Sequence, residues 1–221
     1  MDPTFLPTPA ATWQAALDMA KSGELFTDTA ASVQRVLLGF GLAMVISIPL
    51  GFAMGTWQWA LAALEPIIGL VRYMPASAFI PLLIIWLGLG EPSKLAVLVL
   101  GVVFFNILMV ADVVRQAPRR TLEVAQTLGA TPGVLIRKVI LPYSLPGIID
   151  AARVNAAAAW NFVVIAELFA STEGLGYRIT RSGRFLQSDR IFAVLVVIGI
   201  IGIALDVGLR LLRDLVGRWK S

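Results

Sequence analysis

The stretch TLEVAQTLGATPGVLIRKVILP, residues 121–142, reads like a fragment of a soluble protein: two short helical segments around a glycine, with charges on one side. Pro118 suits the first turn of a helix, and Gly129 suits the left-handed position that closes one. Thr131 then stands as a cap with Pro132 at the first helical position, a strong start signal, and Pro142 is expected to stop the second helix. Leu122, Ala125 and Leu128 recur on one face of the first helix; Leu135, Ile136, Val139 and Ile140 do so on the second. Neither helix approaches the ~20 residues that cross a bilayer. Apolar faces this short need a partner surface to cover them.

The chain around this hairpin is of another kind. It is 58% hydrophobic and 14% charged, with a mean hydropathy of +0.83, against about 25% charged residues in ordinary soluble domains. So little polar surface could not cover a soluble fold of 221 residues. The class is all-α integral membrane. Five spans are expected: Val33 to Gly55, Ala60 to Leu89, Lys94 to Val114, Ile148 to Ala170, and Ile191 to Leu212. The second contains Pro66, Pro75 and Pro81, which bend it. Its first half is expected near one interface, and its second half, FIPLLIIWLGLG, to cross. Residues 1–32 read as an external segment carrying a short surface helix, and 33–221 as the membrane domain, with the polar loop at 117–142. The N-terminus lacks a charged n-region followed by an apolar h-region, so it is not a cleavable signal peptide.

Several chemistries are excluded outright. The sequence has no Cys and no His, which removes thiol nucleophiles, Cys/His zinc sites and imidazole acid–base catalysis, and no metal site is expected. The net charge of +4 with a pI near 9.9 suits cytoplasmic loops of a membrane protein better than nucleic-acid binding. A DNA-reading helix-turn-helix is disfavoured because flanking spans pin both ends of the hairpin and leave no recognition helix free. Arg115, Arg119, Arg120, Arg137 and Lys138 flank the hairpin, and Arg210, Arg213, Arg218 and Lys220 crowd the C-terminus. Both regions are therefore placed in the cytoplasm, and counting back three spans puts the N-terminus outside. The first thirty-two residues, with Lys21 against Asp2, Asp18, Glu24 and Asp28, carry a net −3 that suits that side. The loop between the last two spans breaks the rule: Arg178, Arg181, Arg184 and Arg190 against Glu173 and Asp189 leave it at +2 on the outside. A basic mouth made by Arg178, Arg181 and Arg184 would concentrate anions.

The spacing Glu123, Ala125, Gly129, nine residues, then Val139-Ile140-Leu141-Pro142 resembles the cytoplasmic loop of permease subunits of binding-protein-dependent ABC importers, whose pattern is E-A-A-x3-G-x9-I-x-L-P. Val124 and Val139 depart from it, both keeping an apolar side chain. FLPTPAATWQAAL, RVLLGFGLAMVISIPLGFAMG, FIPLLIIWLGLGEPSKL, AWNFVVIAELFASTEGLGY and FLQSD look like the taurine, alkanesulfonate, nitrate and bicarbonate branch of these permeases. Members of that branch usually carry a further membrane helix before an FLPTP-like segment, so this chain reads either as a shortened form or as one given an incorrect start, with the five-helix core kept. The resemblance implies a type I importer permease in a prokaryotic plasma (inner) membrane. It would work with a second permease subunit, as a homodimer, over cytoplasmic ABC ATPase subunits, fed by an external solute-binding protein. The hairpin would be the coupling helix. Glu123 would hold its geometry or pair with a basic group, Gly129 would make the turn, Leu141 and Pro142 would fix the exit, and Ala125, Leu128 and Ala130 would join them in coupling to the ATPase. The chain has no G-x-x-x-x-G-K-[ST], so ATP and Mg would be bound, and ATP hydrolysed, by the partner rather than by an enzyme within this chain.

Residues that meet the solute are sought among polar groups inside spans, which are costly there and tend to face cavities or neighbouring helices. Asn106, Asn155, Trp160, Asn161 and Glu167 are the candidates. Each Asn reads equally as an interhelical hydrogen bond or a pathway lining. Glu167, near the outer end of its span, reads as an anchor for the external loop. Gly51 with Gly55, and Gly199 with Gly202, read as helix-packing positions. The expected cargo is a small anion of nitrate, bicarbonate or sulfonate type. The rivals are a nucleotide-independent carrier or channel, for which no internal repeat is visible, and a membrane enzyme, which would need more clustered carboxylates than Glu167.

Overall fold

A computed structural model describes residues 6–217, and every regular element among them is helical. Asp2, Arg218 and Lys220, which enter the charge balance above, lie outside these residues. Helix α1, Pro9–Lys21, starts as its sequence dictates: Thr8 Oγ1 accepts from Ala11 N–H at 3.2 Å and Pro9 takes the first position. Its Ala15 and Met19 are buried while Trp13 is exposed. Gly23, at φ +79, turns the chain into α2, Glu24–Thr56. That helix begins nine residues before Val33 and runs through it, so the expected boundary at 32/33 falls inside one continuous helix.

Helix α3, Gln58–Val71, is followed by a 3-10 turn, Ala76–Phe79, and α4, Ile80–Leu87. The two arms are bent by 80°. Ala76–Leu87 alone is too short to cross a bilayer, so the second candidate span is the bent pair together, not the second half by itself. Then come α5, Glu91–Arg115, α6, Arg119–Thr127, and α7, Pro132–Leu135. Helix α8 spans Leu141–Ala170, α9 Leu175–Arg184, and α10 Ser188–Val216. Four of these runs are long and apolar enough to cross a membrane, and the bent pair makes five.

The described residues form two compact units. The first comprises Met1–Gly41, Pro75–Gly101 and Ala157–Ala204. Its core packs Ile80 and Leu83 of α4 and Val97 of α5 with Ala166 of α8. The second unit comprises Leu42–Met74, Val102–Ala156 and Leu205–Ser221, with a core of Val110, Val114 and Ile148. Here the Gly51/Gly55 pair admits close helix packing. A Cβ on Gly51 would lie 2.5 Å from Ile107 O, and one on Gly55 would lie 2.5 Å from Val114 Cβ. Both contacts advance together along the two chains, so α2 and α5 run parallel within this unit. Gly199 and Gly202 differ from expectation: nothing lies within 4 Å of a Cβ at either. Neighbouring Ile200 and Ile203 are 61% and 67% exposed, so this face of α10 is left largely uncovered among the described residues.

Candidate functional site

The hairpin closes by backbone geometry alone. Gly129 has φ +83, its N–H donates to Gln126 O at 2.9 Å, and Ala130 N–H donates to Ala125 O at 2.9 Å. This pair of bonds is the Schellman closure, which satisfies the carbonyls left open at the end of α6. The position of Gly129 is unstrained only without a Cβ. Thr131 stands in the capping position with extended backbone, but its side chain makes no capping bond. Its carbonyl accepts from Val134 N–H at 2.9 Å and Leu135 N–H at 3.0 Å, so the first turn is closed by the backbone. Pro142 does not stop the second helix. Ile136–Ile140 forms a wide π turn, in which Leu141 N–H reaches back five residues to Ile136 O. That turn absorbs a proline that offers no donor, and the chain continues into α8.

The apolar faces also depart from simple periodicity. Leu122 and Ala125 are half-buried, but Leu128 is 82% exposed beside Val124 at 59%. Leu128 has left the helix as its cap, with ψ of 9°, and a repeat of three drifts round a helix of 3.6 residues per turn. Leu135 is buried; Leu141 is exposed. Glu123 is exposed and makes no hydrogen bond or ion pair among the described residues. The Schellman closure, not Glu123, holds the turn.

A second polar site is assembled at the start of α9. Its first amides meet acceptors from two other helices: Gly174 N–H donates to Asp28 Oδ1 at 2.9 Å, Leu175 N–H to Ser32 Oγ at 2.8 Å, and Gly176 N–H to Glu167 Oε2 at 2.7 Å. These satisfy a helix N-terminus that has no local cap. Behind them Arg35 donates to Glu167 Oε1 at 2.8 Å, to Glu173 O at 3.0 Å and, through two nitrogens, to both oxygens of Glu91 at 2.8 and 2.7 Å. Ser32 Oγ donates to Glu167 Oε1 at 2.7 Å. Glu167 is 1% exposed and all its partners are donors, so its carboxylate is committed to the loop and not open to a solute. Glu24, Asp28, Ser32 and Arg35 occupy one stripe of α2 at helical spacing.

The expected basic mouth divides here. Arg178 is 6% exposed and pairs with Asp28 at 2.6 Å and Glu24 at 2.9 Å; it is structural and no part of an open funnel. Burial opposes its charge, but Asp28 and Glu24 outweigh that and hold its pKa above the ordinary value. Arg190 lies 3.8 Å from Glu24. Arg181 and Arg184 remain exposed.

The pathway candidates scatter. Asn106 is 1% exposed, and neither amide atom has a hydrogen-bond partner among the described residues. Asn155 donates to Met109 Sδ at 3.1 Å, an interhelical contact. Trp160 is buried with its Nε1 unpartnered, whereas Asn161 is exposed. Among the described residues no group of His, Cys, Asp and Glu could hold a metal ion.

An apolar five-span chain with a Gly-closed polar hairpin has a known counterpart. The pattern of the binding-protein-dependent transport system inner membrane component matches residues 47–221. The chain belongs to this permease family. The permease is 35% identical over 227 residues to the taurine transport system permease protein TauC of Escherichia coli K12, across 100% of this chain and 82% of that one. It is 33% identical over 222 residues to the putative aliphatic sulfonates transport permease protein SsuC of Bacillus subtilis, across 99% and 79%. Among solved structures, the inward-facing MetNI methionine ABC transporter aligns with a TM-score of 0.79 at 21% identity, over 89% of this chain and 98% of that chain. An amino acid ABC transporter aligns at 0.68 and 16%, over 91% and 97%. These two carry the fold, that of type I importer permeases. The permease is thus a multi-pass inner-membrane subunit of an ATP-driven importer.

Two residues at the heart of the α9 cluster, Arg35 and Asp28, are not among the sequence candidates. A signal for them existed. Arg35 is the lone charge in VQRVLLGFGLAMV, and an arginine there demands a carboxylate. Glu167, the carboxylate near the outer end of its own span, is the matching demand.

Proposed function

We propose that the permease moves a small anion, of the taurine or sulfonate type, by alternating access driven by a separate ATPase. The observation that carries the coupling half of this reading is the exposed pair Val124 and Leu128 on a hairpin held rigid by its Schellman closure. A large apolar side chain left uncovered on a polar loop suits a groove on another protein. Glu123, unpaired among the described residues, is available to a basic group of that partner. ATP and Mg bind to the ATPase subunits; a second copy of the permease completes the pathway, and a solute-binding protein delivers the cargo. ATP-driven closure moves the hairpins as levers between two packed arrangements. The anion assignment is supported by the taurine and sulfonate relatives and by the exposed Arg181 and Arg184. Uptake of labelled taurine, ethanesulfonate, nitrate, bicarbonate and an uncharged control by vesicles holding the permease and its ATPase, supplied with the solute-binding protein, tests it. Transport of at least one anion and not of the control is expected; transport of the control alone ends the anion reading.

The same reading fixes orientation, with the N-terminus outside and the hairpin in the cytoplasm. Because native Cys is absent, single cysteines report this directly. Ser93 and Ser182, in the two loops expected outside, are buried and unsuited as reporters, but Ser22, Thr172 and Thr131 are exposed. Cysteines at Ser22 and Thr172 react with an impermeant thiol reagent from outside, and one at Thr131 only after the cytoplasmic face is opened. Labelling of Thr131→Cys in intact cells would invert the topology.

A further inference from the structure

Four arginines stand between the end of α8 and Ile191, and the structure spends only two of them. Arg178 and Arg190 reach Glu24 and Asp28 on α2. Arg181 and Arg184, three apart near the end of α9, have no ion pair or hydrogen bond among the described residues. Both line one recess of about 360 Å³, together with Leu168, Phe169, Ser171, Tyr177, Thr180 and Phe185. The Ser171 hydroxyl oxygen is enclosed and has no hydrogen-bond partner. An enclosed polar atom left unbonded costs roughly 1–3 kcal/mol, so a serine held there without a partner is a donor waiting for an acceptor. Tyr177 adds a phenol to the same wall, while Thr180 is already committed to Gly176 O at 3.1 Å. Phe169 and Phe185, 63% and 68% exposed, supply apolar surface beside the cations.

Two unpaired guanidinium groups and an unspent hydroxyl converging on one concavity make a receptor for a group with several negative oxygens. The aromatic rings narrow the class further. A bare inorganic anion would leave them unused, and the volume falls near the small end of the roughly 300–1,000 Å³ typical of small-molecule sites. We propose that this recess is a cargo subsite for a sulfonate or carboxylate on a short carbon body. Arg181 and Arg184 pair with the oxyanion oxygens, the Ser171 hydroxyl donates to them, and Phe169 and Phe185 cover the carbon body. The assignment rests on the reading of the cargo as a small anion, and places its headgroup at the α8–α9 turn rather than at the membrane-embedded asparagines.

Equilibrium binding of ethanesulfonate and of nitrate to the detergent-purified permease–ATPase complex tests it. Ethanesulfonate is expected to bind more tightly than nitrate, with an affinity that falls as salt rises. Arg181→Gln/Arg184→Gln weakens ethanesulfonate binding by about ten- to a hundredfold, the range of lost charge-assisted bonds. Ser171→Ala weakens it several-fold, and Arg190→Gln, which removes a charge outside the recess, leaves it unchanged. Because Arg181 and Arg184 are exposed and unpaired, the double variant is expected to keep the wild-type unfolding midpoint, which shows that a lost affinity is not a lost fold. Wild-type affinity in the double variant overturns the proposal. So does equal affinity for nitrate and ethanesulfonate. If the double variant keeps ethanesulfonate but loses stimulation of ATP hydrolysis by the binding protein, the arginines grip that protein's acidic residues instead, and the subsite is wrong. Failure of the broader reading looks different: the wild type would transport only the uncharged solute, while the recess would still bind ethanesulfonate through its arginines.

Discussion

Glu167→Ala is expected to destabilise the permease by about 3 kcal/mol, while Glu91→Ala is expected to cost less than about 1 kcal/mol. Both carboxylates pair with Arg35, at 2.8 and 2.7 Å, so distance alone would rank them equal. Burial decides otherwise. The Glu167 side chain is fully covered, and its removal leaves the Ser32 hydroxyl, the Gly176 N–H and one face of Arg35 without their acceptor. Glu91 is 53% exposed, and water replaces it. The loss stays near the lower end for broken buried pairs, about 3–5 kcal/mol, because Glu91 and Glu173 still face Arg35. Glu167→Gln recovers only part. Its oxygen can serve Ser32 and Arg35, but its NH2 then meets the Gly176 N–H, donor against donor. Thermal unfolding in detergent reads the difference: a fall of about 6–12 °C for Glu167→Ala by the usual scaling for chains of this size. Proteolysis should also quicken at 173–187, since α9 loses one of its three anchors. A midpoint within a degree of wild type would show that the cluster does not hold the loop.

How much of this could be read beforehand follows from the physics of each signal. The spans were legible because a bilayer imposes length and apolarity with no help from tertiary contacts. The turn at Gly129 was legible because a positive φ is a local demand. What failed depended on neighbours. Leu128 shares by periodicity an apolar face that needs a partner surface, but it caps the helix and so stands apart from Leu122 and Ala125. Pro142 reads as a stop and is passed because the turn before it widens. Arg178 reads as a surface cation and is buried because Asp28 and Glu24 lie 150 or more residues earlier on a helix that packs against it. The stripe Glu24, Asp28, Ser32, Arg35 was hidden by placing a boundary at 32/33, which split one helical face between two segments. Asn106 is the opposite case. Its position in a span is plain from the sequence, whereas its lack of a partner among the described residues is visible only in the packed helices.

Leu128→Glu is expected to abolish ATP-driven uptake, by a hundredfold or more, with membrane insertion and unfolding midpoint unchanged. The chain itself has little to lose: Leu128 is 82% exposed, so the substitution removes almost no buried surface here. The cost appears only when the hairpin docks, because a carboxylate must then be desolvated in a groove that a leucine would fill. An uncompensated buried charge costs roughly 3–5 kcal/mol, which corresponds to a hundredfold or more in association. Val124→Ala, which shortens the neighbouring exposed side chain without adding charge, should weaken association by only about 1 kcal/mol. Gly129→Val acts by another route. Nothing within 4 Å opposes its side chain, but φ of +83 does, at about 1–2 kcal/mol. It should loosen the turn and lower coupled ATP hydrolysis without abolishing binding of the ATPase. Co-purification of the ATPase with each variant, measured beside uptake, separates the two routes. Leu128→Glu retaining its ATPase and its uptake would mean that the hairpin docks through another face, and Gly129→Val with wild-type coupling would mean that the rigidity of the turn is not what transmits the stroke.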